Sequence, residues 1–441
     1  MSIQTKDADS QAKTLERKQR FSIPPALTYP AYRDYWLGTI ASVLGFQMFM
    51  FGQLWLMHQL RDAPIFLGFV GLAQAAPAVA LTLFGGVFAD RVNRRALIIT
   101  TQITNAVLIL ALGVLTATGL VQPWEILMIG FITGAVNAFD QPTRQAIFPQ
   151  LIERRAMVSA VALNSSVWQG MRIVAPAVAG FVIAVSGTAI VFFLAAAGFL
   201  VMAAVMFRLK IAPLPEKAKS SPMKDMADGL KFIKGDSVFS FLIGMTFFSS
   251  FFGMAHLTLM PIFAVDILHQ GAKGQGILLS LSGVGALTAT IWLSSQANFH
   301  RKGLLIIGSA VLYGLTIVAF ALSARYVNSF PLAMGLMLAS GVFNSLYMVS
   351  VMSSLQMLVP DQMRGRVMGF FGMTYNLMPL GGLVAGAAAS VISTPFAVSL
   401  GAFLVVVFAL GPAMANKQIR NISVLLQQHE AATQRPATGK A

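Results

Sequence analysis

The chain contains twelve stretches of roughly 20 or more mostly apolar residues, each long enough to cross a bilayer as a helix, separated by short polar breaks. They fall at about 35–58, 65–89, 96–118, 124–140, 158–186 and 188–207, then 238–265, 275–297, 303–323, 331–356, 366–391 and 395–415. In hydrocarbon every backbone N–H and C=O must be satisfied within the segment, which leaves the helix as the structure for such runs. The pattern therefore predicts an all-α integral membrane protein of twelve transmembrane helices. Composition agrees: 56% of residues are hydrophobic and 11% charged, with a mean hydropathy of +0.72. A soluble domain carries about 25% charge.

The net charge of +15 would point to nucleic acid in a soluble protein. Here the basic residues lie between the apolar runs. Of the 31 Lys and Arg residues, all but Arg61, Lys273, Arg325 and the intrahelical Arg172 fall on one side of the alternating scheme. The positive-inside rule then places both termini in the cytoplasm. Residues 1–33 carry Lys6, Lys13, Arg17, Lys18 and Arg20 without an apolar core and read as a cytoplasmic tail rather than a signal peptide. The longest polar segment, 208–237, divides a bundle at 34–207 from one at 238–415, and 416–441 form a second cytoplasmic tail. Within the linker, Met223, Met226, Leu230 and Ile233 recur at helical spacing among charges, either an amphipathic helix on the inner membrane surface or an irregular connector.

The halves echo one another. Pro149 followed by Arg155, Ala156 and Met157 after the fourth run returns, at the same spacing, as Pro360 followed by Arg366, Val367 and Met368 after the tenth. Arg94, Arg95, Ala96 and Leu97 find a similar counterpart in Arg301, Lys302, Gly303 and Leu304. Internal duplication of this kind marks transporter folds built from repeats.

The strongest local motif joins the second and third runs: Gly85-Gly86-Val87-Phe88-Ala89-Asp90-Arg91-Val92-Asn93-Arg94-Arg95. So short a turn favours a residue tolerant of positive φ, which Asn93 supplies. Asp90, among three arginines at a helix end, can pair with an arginine of a neighbouring helix; the arginines also anchor the loop to the inner face. The segment resembles the loop signature of the major facilitator superfamily, G-x-L-A-D-R-x-G-R-R, with Phe88 in place of leucine and Asn93 in place of the second glycine. The resemblance implies two six-helix bundles and a salt-bridge latch built on Gly86, Asp90, Arg91, Arg94 and Arg95. The runs Gln141-Pro142-Thr143-Arg144, Phe148-Pro149, Ala162-Leu163-Asn164-Ser165 and Arg172 to Gly180 look like the enterobactin-exporter-like branch of that superfamily, as does Asp361 to Gly369, which would bring Arg364 and Arg366 to the latch. Pro176 and Gly180 resemble the antiporter motif G-P-x-x-G-G, with Ala175 and Ala179 replacing two glycines.

Arg172 is the one Lys or Arg well inside a run. Charge there is expensive, and by default marks either a function or a brace. Asn164, Trp168 and Arg172 recur every four residues and share a helix face that offers an amide, an aromatic plane and a cation. Asn344 and Tyr347 in the tenth run, with Tyr375 and Asn376 in the eleventh, are further candidates to line a substrate cavity. His256, in the seventh run, and Asp34, beside Arg33, are candidates for carrying a proton. Gly382 and Gly386, like Pro176 and Gly180, supply small surfaces for close helix packing. Asp140 is placed to pair with Arg144 one turn on, while Glu125 and Asp266 lie near outer ends where solvated carboxylates are ordinary.

The chain has no cysteine and none of the phosphate-loop, zincin or nucleophile-elbow motifs. The expectation is a non-enzymatic transporter without cofactor, acting as a monomer in the bacterial cytoplasmic membrane. By resemblance it is a proton-driven antiporter exporting a siderophore or hydrophobic drug. A lysolipid transporter, or a non-transporting receptor or scaffold on the same fold, are the rival readings.

Overall fold

The computed structural model describes residues 24–91, 93–209, 222–296, 302–416 and Val424, with the backbone alone described at 82–91, 222–226, 302 and 361. Most of the two expected tails and the linker stretch 210–221 lie outside the described residues. The described chain is helical and makes twelve passes. Spans 1 to 6 are Pro30–Leu60, Ile65–Arg91, Arg94–Ala117, Pro123–Ile147, Met157–Ser186 and Thr188–Arg208. The linker contains the helix Pro222–Lys234. Span 7 begins with Ser237–Phe248; spans 8, 9, 10 and 12 are Gly271–Ser295, Lys302–Tyr326, Phe330–Leu358 and Thr394–Ala415; span 11 comprises Asp361–Asn376 and Met378–Ile392.

Rows of large apolar side chains face outward, such as Val107, Leu110 and Val114 on span 3 and Leu400, Phe403 and Val407 on span 12. Their spacing makes lipid-facing stripes that water would not tolerate. Ten described helices are long and apolar enough to cross a membrane; the other two passes are span 2, described as apolar over Ile65–Leu81, and span 4.

The inferred duplication is visible in the packing. Span 2 packs on span 4 and span 3 on span 6; six spans later, span 8 packs on span 10 and span 9 on span 12. Tight hairpins at equivalent places use the same backbone device. Gly187, at the expected boundary of spans 5 and 6, has φ 86°, and Ser393, between spans 11 and 12, has φ 85°. A glycine adopts that region freely, whereas serine does so at a cost of about 1 kcal/mol.

Three local expectations are corrected. Asn93 does not take positive φ: at φ −63° it caps span 3, its side-chain oxygen accepting the Ala96 N–H at 3.2 Å. An N-cap satisfies one of the helix's free N–H groups, a use of asparagine as natural as a turn. Span 7 is not one regular helix over 238–265. Two π-turns, Ser249–Gly253 and Phe263–Ile267, flank short helical pieces, with Pro261 between them lacking a donor. Span 11 breaks at Leu377, just before Pro379, for the same reason.

The linker helix docks on spans 7 and 11. Ile233 is buried with Val238, Phe239, Val367 and Phe371, Gly229 abuts Arg366 and Phe370, and Asp228 pairs with Arg366 at 3.3 Å. Leu230 stays exposed.

Candidate functional site

Spans 5 and 8, and spans 2 and 11, form the seams between the two halves. Both seams are tight on the side away from the chain termini. A Cβ on Gly180 would lie 2.5 Å from the Ala272 carbonyl oxygen, and one on Gly68 2.6 Å from Leu383 Cα. Gly276 meets the Pro176 carbonyl as closely, and Gly386 faces Pro64 and Ile65. The Ser280 hydroxyl donates to the Ile173 carbonyl at 2.6 Å. Glycine is required at such approaches because any side chain would hold the backbones apart. Toward the termini the same spans part: a Cβ on Gly170, Gly365, Gly369 or Gly372 would meet nothing within 4 Å. The seams between the halves are thus tight on the opposite face and parted toward the termini face.

Arg172 stands at the upper end of this opening, exposed, with no carboxylate paired to it among the described residues. It comes from the first half, yet its charge reaches Tyr375 and Tyr313 in the second. Trp168, half-buried one turn earlier, packs edge-on against Phe46 of span 1 at 6.4 Å. Asn164 is half-buried, and the neighbouring Leu163 carbonyl accepts from Trp36 Nε1 at 3.3 Å. Across the opening, Tyr375 donates to Met348 Sδ at 2.7 Å, and Asn376 is exposed. Asn344 is half-buried with its side-chain oxygen unpartnered. Tyr347 is fully buried, its hydroxyl donating to Thr246 Oγ1 at 3.3 Å, so it braces span 10 against span 7.

The two proton candidates occupy unlike places. Asp34 is exposed, 3.7 Å from Arg33. His256 is buried between the π-turns of span 7; Nδ1–H donates to the Gly253 carbonyl at 2.8 Å, and Nε2 has no partner.

On the termini face, the surroundings of Gly86 and the side chains of Asp90 and Arg91 lie outside what the structure describes. Arg95 donates to the last carbonyls of span 6, Nε to Met206 at 2.8 Å and Nη2 to Phe207 at 2.6 Å, where a cation suits the helix C-terminus. Arg94 and Arg364 both have partners, and Arg366 is held by the linker's Asp228. Gly382 lies against Thr258 of span 7.

Sequence reasoning missed two constellations. Asp140 is indeed paired with Arg144, at 2.6 Å, but also accepts from Thr101 Oγ1 at 2.6 Å and Gln102 Nε2 at 3.0 Å, in a buried network joining spans 3 and 4. The polar run Thr100-Thr101-Gln102 within an apolar stretch was the available signal. Asp266 is not simply solvated: it meets His58 of span 1 at 3.3 Å, across the halves. No spacing links residues so far apart in sequence. Among the described residues, no three His, Asp or Glu side chains are grouped to hold a metal ion.

Comparison with known proteins bears on this geometry. A profile described as transmembrane secretion effector matches residues 23–436. The chain is similar to the staphyloferrin A transporter of Staphylococcus aureus, 24% identical over 352 residues, or 77% of this chain and 85% of that protein. It is also similar to the enterobactin exporter EntS of Citrobacter koseri, 23% identical over 347 residues, 78% of this chain and 81% of that one. Among solved structures, a bacterial homolog of the human lysosomal transporter Spinster, inward-facing and unoccupied, superposes with a TM-score of 0.70 at 11% identity, over 92% of this chain and 99% of that chain. The nucleoside transporter NupG gives 0.67 at 14%, over 87% and 98%. These structures share the major facilitator fold of two six-helix bundles, and the relatives are transporters rather than enzymes.

Proposed function

The chain belongs to the transmembrane secretion effector family, a group of major facilitator transporters, and we propose that it exports an anionic, partly aromatic chelator of the siderophore type by alternating access. The observation that carries this reading is Arg172: a cation exposed where the halves part, without a paired carboxylate among the described residues, with tyrosines of the other half in its field. In a low-dielectric cavity, an unneutralised cation attracts an anion far more strongly than at a water-facing surface. Trp168, Tyr375 and Asn376 add an aromatic plane and polar contacts for the remainder of such a solute. The names of the two relatives, a staphyloferrin A transporter and an enterobactin exporter, support the same class.

In this reading the charge asymmetry of the loops puts the termini face in the cytoplasm, so the open cavity loads from the cytosol. Binding between Arg172 on one half and Tyr375 on the other draws the halves together. The latch of Gly86, Asp90, Arg91, Arg94 and Arg95 with Arg364 and Arg366 then closes the termini face, and the glycine seams part on the other. For Arg366 this requires release from Asp228. A proton resets the cycle; the two candidates to carry it are His256, buried with its Nε2 unpartnered, and Asp34, a surface charge beside Arg33.

The test is uptake into inverted vesicles with an imposed pH gradient, comparing a catecholate siderophore, a carboxylate siderophore, a cationic dye and a lysolipid. The expected result is gradient-driven uptake of an anion, reduced at least tenfold in Arg172→Ala and partly retained in Arg172→Lys. Uptake of the dye or lysolipid alone, indifferent to Arg172, would overturn it.

A further inference from the structure

The closed face holds a polar contact that the glycine seams do not explain. His58, near the end of span 1, is buried, and its Nε2 lies 3.3 Å from Asp266 Oδ1 in the last π-turn of span 7. His58 Nδ1 has no partner. The pair bridges the two halves at the end that must open for the cavity to face the other way. We propose that His58 and Asp266 form an acid-tightened latch on this face, so that acidity on that side holds the transporter in the state open toward its termini.

The chemistry follows from the groups present. An imidazole changes charge between about pH 5 and 8. Neutral, it makes an ordinary hydrogen bond with a carboxylate. Protonated, it makes a charge-assisted one of roughly twice the strength. Because the contact exists only while the face is closed, whatever strengthens it shifts the population toward closure. The proton also has a route. Asp266 is half-exposed and lines a cavity of about 400 Å³ on that face with Arg325, Ala389, Ser393, Thr394 and Pro395. Solvent therefore reaches the carboxylate side of the latch without the seams parting.

The charged surroundings leave the pair in control. From span 9, Arg325 shares the cavity with Asp266 but lies over the Phe396 ring at 5.5 Å. From spans 11 and 12, the facing residues are uncharged. Lys273, in the first turn of span 8, is exposed, and His269 is exposed, bonded to the Val265 carbonyl at 3.1 Å. On the His58 side, Arg61 lies over Phe66 at 5.8 Å, Asp62 is exposed, and span 6 presents Thr188, bonded to Gln59 at 3.0 Å.

The inference rests on alternating access but not on the identity of the cargo, so its test needs no substrate. The absence of native cysteine lets two reporters be placed directly. Spin labels at Leu120→Cys and Val327→Cys, exposed on this face in opposite halves, report its opening as a lengthened distance in lipid nanodiscs. Acidification from about pH 7.5 to about pH 5.5 should deplete the open population at least fivefold. His58→Gln and Asp266→Asn should each raise that population at low pH and flatten its pH dependence at least twofold, and the double variant should match either single one. Asp266→Asn touches a half-exposed residue and keeps the test decisive should His58→Gln fold poorly. An unaltered pH response in Asp266→Asn, or additive effects in the double variant, would overturn the latch.

Discussion

Gly180→Ala should displace the transporter from the state described here without disturbing either half. The added Cβ would sit 2.5 Å from the Ala272 carbonyl oxygen and 3.1 Å from Gly276 Cα, both backbone atoms that cannot rotate away. Restoring the ordinary 3.4 Å requires spans 5 and 8 to separate by about 0.9 Å. Overpacking of this size costs about 1–3 kcal/mol. The two helices belong to different halves, so the strain is relieved when the seam opens. The cost therefore falls on the closed state, and the open-to-closed ratio should rise about 5- to 150-fold. A cysteine at Leu383, in the other seam beside Gly68, reports opening by its rate of reaction with a membrane-impermeant maleimide applied on that face. The parent should react slowly and Gly180→Ala at least fivefold faster. Gly170→Ala, whose Cβ would meet nothing within 4 Å, is the control and should match the parent. Equal rates in parent and Gly180→Ala would refute the reasoning, because they would mean that the seam does not part during the cycle.

Other outcomes follow from the same geometry. Asp140→Ala leaves Arg144 buried without its 2.6 Å partner and should cost about 3–5 kcal/mol. That loss appears as a thermal transition many degrees lower in detergent, and an unchanged transition would deny the network a stabilising role. Arg172→Ala, by contrast, removes an exposed side chain and should move stability by no more than about 0.5 kcal/mol while weakening anion uptake, so a collapse in folded yield would mark Arg172 as a brace. Asp90→Asn should impair flux with membrane insertion intact; unimpaired flux would remove the termini-face latch.

Much of the architecture was legible because hydrocarbon imposes it. Apolar runs of the right length, an even alternation of basic loops, and echoes such as Arg155-Ala156-Met157 with Arg366-Val367-Met368 report directly on how each segment meets lipid. The short-range pair of Asp140 and Arg144 was legible for a similar reason, since one helical turn fixes their distance. Breaks were harder. Pro261 and Pro379 announce a missing donor, but whether the chain answers with a kink, a π-turn or a new helix depends on the neighbours that satisfy the freed carbonyls. The linker helix was readable as amphipathic, yet its docking through Ile233 and Asp228 was not.

The sequence by itself determined the solvent of each segment, the number of passes and the duplication, because these depend on local hydropathy and repetition along one chain. Only the tertiary structure decided which face is closed, that Arg172 looks into an opening, and that His58 meets Asp266. Those facts arise between helices distant in sequence, where backbones approach within contact distance at glycines and side chains find partners from the other half. A one-dimensional pattern of polarity holds no term for such distances.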